Sequence, residues 1–150
     1  MELHPDYKEL LELLNKHSVE YVIAGGYALA FHGAPRFTGD IDIAVKPNRD
    51  NAKKILEALK EFGFGGLDLS EEDFSKPENV IQFGVPPVRI DIITSLSGLS
   101  WDEIEAGMIK HAHGDIQVFY IGKKEFIQNK QKTGRANDLA DIEALGDQTE

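Results

Sequence analysis

The sequence predicts an α+β domain with α/β-like alternation, in which a mixed sheet of about five strands is flanked by helices. Three observations carry this. A short strand, a Gly-Gly pair, a helix and a second strand follow one another between residues 19 and 45. Apolar residues recur at helical spacing in 5–17 and from Ala52 to Phe62. Apolar runs rich in β-branched residues occur at 80–83, 88–94 and 116–121, separated by turn-forming residues.

Taken in order, Leu3, Tyr7, Leu10, Leu11 and Leu14 place one apolar stripe on a helix over 5–17, with Pro5 at its start. Val19 to Ala24 reads as a strand that ends at Gly25-Gly26, and residues 27–32 as a helix that Gly33-Ala34-Pro35 breaks. Asp40 to Val45 is a second strand closed by Lys46-Pro47. Asn48 or Asp50 can cap a third helix whose core positions are Ala52, Ile55, Leu56, Leu59 and Phe62, ending at Gly63. The polar stretch from Gly65 to Pro77 is a long connection containing one capped turn at Ser70-Glu71-Glu72-Asp73. Strands at 80–83 and 88–94 join through Pro86-Pro87. Another, 116–121, follows a Gly114-Asp115 turn, and helices at roughly 123–131 and 135–145 close the chain.

A chain of 150 residues, 41% hydrophobic, matches a single domain spanning 1–150 that buries its own core. It has no cysteine, which excludes disulfides, thiolate metal sites and cysteine nucleophiles and leaves His, Asp and Glu as ligands. The formal net charge of −10 argues against nonspecific nucleic-acid binding, which needs a clustered positive field. A nucleotide substrate stays compatible, because a divalent ion can bring a phosphate to an acidic protein. Met1 to Leu14 is broken by five charged residues and offers no signal-peptide core; no apolar run approaches membrane-spanning length. The expected location is cytoplasmic, with no membrane partner.

The chemistry concentrates in Gly39-Asp40-Ile41-Asp42-Ile43-Ala44-Val45. Strand alternation puts Ile41, Ile43 and Val45 on one face and both aspartates on the other. Two carboxylates that close repel, so keeping both ionised calls for a cation between them; oxygen ligands select Mg²⁺, Mn²⁺ or Ca²⁺. A solvent-facing strand is the plainer reading of Asp-x-Asp alone. A third acid, Asp91, interrupts the apolar run Val88 to Ile93, where it needs a partner. Arg89, on the same face, can neutralise it as an ion pair; alternatively Asp91 joins the other two in a site for divalent ions. Gly25-Gly26 offers bare backbone N–H groups to a phosphate. The sequence lacks the Gly-Lys-Ser/Thr of a P-loop and the third glycine of a dinucleotide fingerprint, so neither of those readings fits.

The order strand, Gly25-Gly26, helix, Arg36-x-Thr38-x-Asp40-x-Asp42, then a later strand with Asp91, resembles the minimal nucleotidyltransferases of the DNA polymerase β superfamily. The ending Asn129-Lys130-x-x-Thr133-Gly134-Arg135-x-x-Asp138-Leu139-x-Asp141 is similar to the closing motif of small stand-alone prokaryotic members, including those related to abortive-infection toxins. The resemblance implies a nucleotidyltransferase fold, with Gly25 and Gly26 holding an NTP and Asp40, Asp42 and Asp91 binding two Mg²⁺ (or Mn²⁺). It implies NMP transfer to an acceptor with release of pyrophosphate, Asp91 also accepting the acceptor's proton. Many relatives carry a serine after the first glycine; here Gly26 and then Tyr27 leave only backbone donors.

Arg36 is expected either at the triphosphate or in an ion pair with Asp40. Lys130 is expected to contact the triphosphate, and Arg135 to pair with Asp138 or Asp141. The Gly65 to Lys76 connection is expected to move and to cover the cleft. His32 reads as a helix-end residue, and His111 and His113 as one face of an exposed strand or hairpin. The acceptor class, whether RNA, protein or a small molecule, stays open, and a homodimer or partner protein can supply its surface. Two other readings use the same residues: a noncatalytic nucleotide-binding or toxin–antitoxin interaction protein, and an Asp-x-Asp phosphohydrolase, against which Ala44 stands where a threonine is usual.

Overall fold

The computed structural model describes residues 3–34, 38–64, 68–84 and 88–146. Helix α1 (Pro5–Lys16) starts where the ring nitrogen Nδ1 of His4 accepts the Asp6 N–H at 3.0 Å, and it buries Tyr7, Leu10, Leu11 and Leu14. Ser18, at φ 58°, reverses the chain, and the Val19 N–H bonds to the Leu14 carbonyl. Val19 thus belongs to the end of α1, and strand β1 covers only Tyr21–Ala24. Helix α2 (Gly25–Phe31) follows with no intervening loop, two residues earlier than Tyr27 suggested. Strand β2 (Asp40–Val45) has the predicted bounds.

Asn48, not Asp50, caps α3 (Arg49–Leu59), its side chain accepting the Asn51 N–H at 2.8 Å. Ala52, Ile55 and Leu59 are buried, and the helix loosens into a wide turn at Lys60–Phe64 where Gly63 has φ 110°. Asn51 is itself buried. It accepts the Glu20 N–H and donates to the Glu20 and Lys46 carbonyls, tying the start of β1 to the end of β2. The capped turn expected at Ser70 is helix α4 (Glu71–Ser75), with a Ser70–Asp73 capping box and a fully buried Phe74. That anchor makes the second half of the expected cover part of the packed structure.

Strands β3 (Val80–Phe83) and β4 (Arg89–Ile93) precede α5 (Trp101–Gly107), and β5 (Ile109–His113) pairs with β6 (Ile116–Tyr120). Helices α6 (Lys123–Thr133) and α7 (Ala136–Ala144) end the described chain. The sheet has six strands rather than about five, in the order β3-β4-β2-β1-β6-β5. β5 supplies the additional strand: its Lys110, His111 and Ala112 are exposed, so it lacks the apolar alternation of a half-buried strand. The β1–β6 and β2–β4 pairs are parallel and the other three antiparallel, a mixed α+β sheet. Antiparallel β1–β2 and parallel β2–β4 pairing brings the end of β1 and the starts of β2 and β4 to one edge of the sheet, with Ala24 opposite Asp42 and Asp42 opposite Asp91.

Candidate active site

At that edge, Asp40, Asp42 and Asp91 each present a carboxylate oxygen, and the three oxygens lie within 4.8 Å of one another. The register causes this. Asp40 and Asp42 alternate onto one face of β2, and the parallel pair Asp42–Asp91 sets the third acid beside them. Asp91 is buried; Asp40 and Asp42 are half-buried. Burial first, then repulsion from Asp40 and Asp91, pushes the Asp42 carboxyl up to about 7, while Lys130 works in the opposite direction. Three acids crowded with too little positive charge form a group that could hold a divalent cation.

Arg89 supplies part of the compensation. Its Nε donates to Asp91 Oδ1 at 3.1 Å and its Nη2 to Asp91 Oδ2 at 2.9 Å, and the guanidinium also reaches Asp40 at 3.6 Å. The ion pair and the three-acid cluster, alternatives from sequence alone, are both present.

Gly25 has φ 61°, and a Cβ built there collides with the Asp42 carboxylate. Gly26 is pressed against Thr38: its added Cβ would sit 3.0 Å from the Thr38 hydroxyl oxygen. Thr38 in turn donates to the Asp40 carbonyl at 3.0 Å and carboxylate at 3.1 Å, so it braces the first acid as well as leading into β2. The Gly-Gly pair therefore lets the first turn of α2 lie directly against the aspartates. Arg36 lies outside the described residues.

Two tyrosines at the site carried no sequence signal beyond helical spacing. The Tyr7 hydroxyl donates to the Arg89 carbonyl at 3.0 Å; burial, Tyr27 and the acids push its pKa up to about 12. Tyr27, stacked edge-on against Tyr7, is raised by burial and by Asp40.

Lys130 is mostly buried, its side chain 14% exposed, and its ammonium lies 3.3 Å from Asp138 and 3.9 Å from Asp141. Asp138 also accepts from the Thr133 hydroxyl at 2.6 Å and from Arg135 Nε at 2.8 Å, as the spacing of Arg135 suggested. Although burial opposes ionisation of Asp138, Arg135, Thr133 and Lys130 together hold it well below the usual carboxylate range. The closing motif thus forms a polar network around the buried Asp138, and the charge of its Lys130 also reaches Asp42.

The histidines stand apart. His32 Nε2 donates to the Ile121 carbonyl at 2.7 Å at the end of α2, and burial lowers its pKa. His111 and His113 lie on β5 with ring centroids 5.1 Å apart, His113 bonding the Tyr120 hydroxyl, and no third ligand among the described residues completes a metal site with them.

A family profile described as aminoglycoside-2''-adenylyltransferase matches residues 6–92, the stretch that carries the glycine pair and all three aspartates. The chain belongs to that family. Its fold agrees with a presumed nucleotidyltransferase from Thermotoga maritima, with a TM-score of 0.64 at 16% identity over 94% of this chain and 92% of the other. A search of curated proteins gave no match. This adenylyltransferase-family chain thus has the family membership and the fold of a minimal nucleotidyltransferase, and among its described residues no helix is long and apolar enough to cross a membrane.

Proposed function

We propose that this protein is a metal-dependent nucleotidyltransferase that moves an NMP group from an NTP, ATP on the family's name, to an acceptor hydroxyl. The acceptor oxygen forms a bond to the α-phosphorus, the bond from that phosphorus to the bridging oxygen breaks, and pyrophosphate leaves. The observation that carries the reading is the convergence of Asp40, Asp42 and Asp91 beside Gly25.

All three donors are hard carboxylate oxygens, and burial together with repulsion from Asp40 and Asp91 suppresses the ionisation of Asp42, a cost that a cation relieves, so the residues fit Mg²⁺ or Mn²⁺. When bound, such ions neutralise the triphosphate and the departing pyrophosphate. Asp40, Asp42 and Asp91 hold them, and Asp91 takes the acceptor's proton at a carboxylate oxygen. Gly25 and Gly26 admit a phosphate close to the backbone, and Arg36 and Lys130 meet the outer phosphates. The net charge of −10 and the family's name favour a cationic small-molecule acceptor over RNA or protein.

One observation favours the noncatalytic alternative, a nucleotide-binding or toxin–antitoxin interaction protein: Arg89 already bridges Asp91 and Asp40. Incubation with each labelled NTP, Mg²⁺ or Mn²⁺, and aminoglycosides, total RNA or lysate protein in turn separates the two. Transfer of label that Asp42→Asn abolishes supports the enzyme. Binding of an NTP without transfer to any acceptor supports the alternative.

A further inference from the structure

The sequence contains four tyrosines, and the fold gives three of their hydroxyls a partner. Tyr7 donates to the Arg89 carbonyl at 3.0 Å, Tyr21 donates to Asn15 Oδ1 at 3.0 Å, and the Tyr120 hydroxyl bonds His113 Nε2 at 2.7 Å. Those three side chains are buried, as a hydroxyl taken out of water requires a partner. Tyr27 is half-buried, and its hydroxyl bonds no described residue. It is therefore both reachable from solvent and unused by the fold.

Its place is the acid cluster. Tyr27 follows Gly26 in the first turn of α2, the turn that the glycine pair brings against Asp42 and Thr38. Its ring stands edge-on to Tyr7, with centroids 5.7 Å apart, and Tyr7 is tied to the carbonyl of Arg89, the residue that holds Asp91. Tyr27 acts on the Tyr7 phenol, and Asp40 acts on both. Burial first and then the Asp40 carboxylate oppose loss of the Tyr27 proton, so the group stays a donor. The sequence suggested only backbone donors at this turn; the placed ring adds a side-chain hydroxyl.

We propose that Tyr27 is a phosphate-binding residue, its O–H donating to a nonbridging oxygen of the NTP's triphosphate where the first turn of α2 meets the aspartates. This rests on the nucleotidyltransferase reading and deepens it. Nonbridging phosphate oxygens only accept hydrogen bonds, and their charge strengthens each bond they accept, so they match a protonated phenol better than a neutral sugar or base edge does. The edge contact with Tyr7 restricts the ring, which places the hydroxyl before the ligand arrives and lowers the cost of ordering it.

Titration calorimetry tests this with two probes in Mg²⁺: α,β-methylene-ATP, which cannot give up its NMP group, and tripolyphosphate, which has neither sugar nor base. Tyr27→Phe keeps the ring beside Tyr7 and removes only the hydroxyl. It is expected to weaken both probes about tenfold, the scale of a hydrogen bond to a charged oxygen. Its melting temperature without ligand is expected to equal that of the unaltered protein, because no bond of the fold is lost. Tyr21→Phe controls for the loss of a tyrosine hydroxyl as such and is expected to bind both probes normally. Unchanged tripolyphosphate affinity in Tyr27→Phe overturns the proposal. A loss confined to the ATP analogue also overturns it, since the contact then lies on the sugar or base, and so does a lower melting temperature of ligand-free Tyr27→Phe, since the hydroxyl then serves the fold. If the unaltered protein binds neither probe, the nucleotidyltransferase reading fails and takes this contact with it, a result distinct from a loss seen only in Tyr27→Phe.

Discussion

Arg89 holds Asp91 by two hydrogen bonds, Nε to Oδ1 at 3.1 Å and Nη2 to Oδ2 at 2.9 Å, while the same guanidinium stands 3.6 Å from Asp40. The arginine and a divalent cation therefore serve the same carboxylates. Removing the arginine leaves Asp91, which is 5% exposed, without its partner. Arg89→Met is expected to lower the melting temperature of the metal-free protein, because it leaves a buried carboxylate without its cation. Mg²⁺ is then expected to raise the melting temperature of Arg89→Met by more than that of the unaltered protein. Calorimetric melting with and without Mg²⁺ checks this, and an equal shift in both proteins counts against a shared role.

Asp42 gives the pH dependence of the metal-free fold. Its folded carboxyl is pushed up to about 7, against about 3.9 for an unfolded aspartate, so between these values the folded state binds the proton more tightly. Stability in the absence of metal is expected to fall as pH rises through that window. Asp42→Asn, with no charge to bury, is expected to flatten the dependence while remaining folded. The same variant is expected to lose the rise in melting temperature that Mg²⁺ with an NTP gives the unaltered protein. Thermal melts from pH 4 to 8 measure both effects.

The strand carrying Asp40 and Asp42 was legible in the sequence because period-2 alternation and the flanking Gly39 and Lys46-Pro47 agree. The third acid was legible as an anomaly, a charge inside an apolar run; its proximity to Asp42 was not, since strand order and register arise from pairings distant in sequence. Helix α5 escaped notice although Ser100 and Glu103 have the capping-box spacing, because the segment between its caps carries too few apolar residues to show a period. The aromatic contact of Tyr7 with Tyr27 likewise had no local signature: two elements must first be packed before these rings meet.

Gly25 combines a left-handed backbone with the approach of Asp42. A side chain there meets strain of about 1–2 kcal/mol from the backbone alone, and its Cβ must also displace the carboxylate. Gly25→Ala is expected to lower stability and to reduce Mg²⁺ affinity together. Gly63→Ala, at φ 110° with open space around it, is expected to lower stability alone. Isothermal titration with Mg²⁺ beside a chemical melt distinguishes them, and unchanged Mg²⁺ affinity in folded Gly25→Ala would remove this glycine from the site.

Lys130, Arg135 and Asp138 form one cluster but differ in burial, and burial sets their separate consequences. Arg135 is 74% exposed, so its ion pair with Asp138 is screened, and Arg135→Ala is expected to cost at most about 1 kcal/mol. Asp138 is 2% exposed and neutralises Lys130, which is itself mostly buried. Asp138→Asn removes that charge from a buried pair and is expected to cost about 3 kcal/mol. Because the folded carboxyl of Asp138 is held below its unfolded value, its contribution is fully present above about pH 4 and is lost as pH falls further. Asp138→Asn should therefore differ most from the unaltered protein above pH 4, and the two curves should converge in acid. Lys130 is the member whose charge also reaches Asp42, where it favours the ionised carboxylate. Lys130→Ala is expected to lower stability and, in addition, to weaken NTP binding by about 1–3 kcal/mol, the range for a charge-assisted hydrogen bond. Arg135→Ala is expected to bind NTP normally. Titration calorimetry with NTP in Mg²⁺, run on both variants under conditions where each is folded, decides whether Lys130 serves the nucleotide or only the packing of α6 on α7.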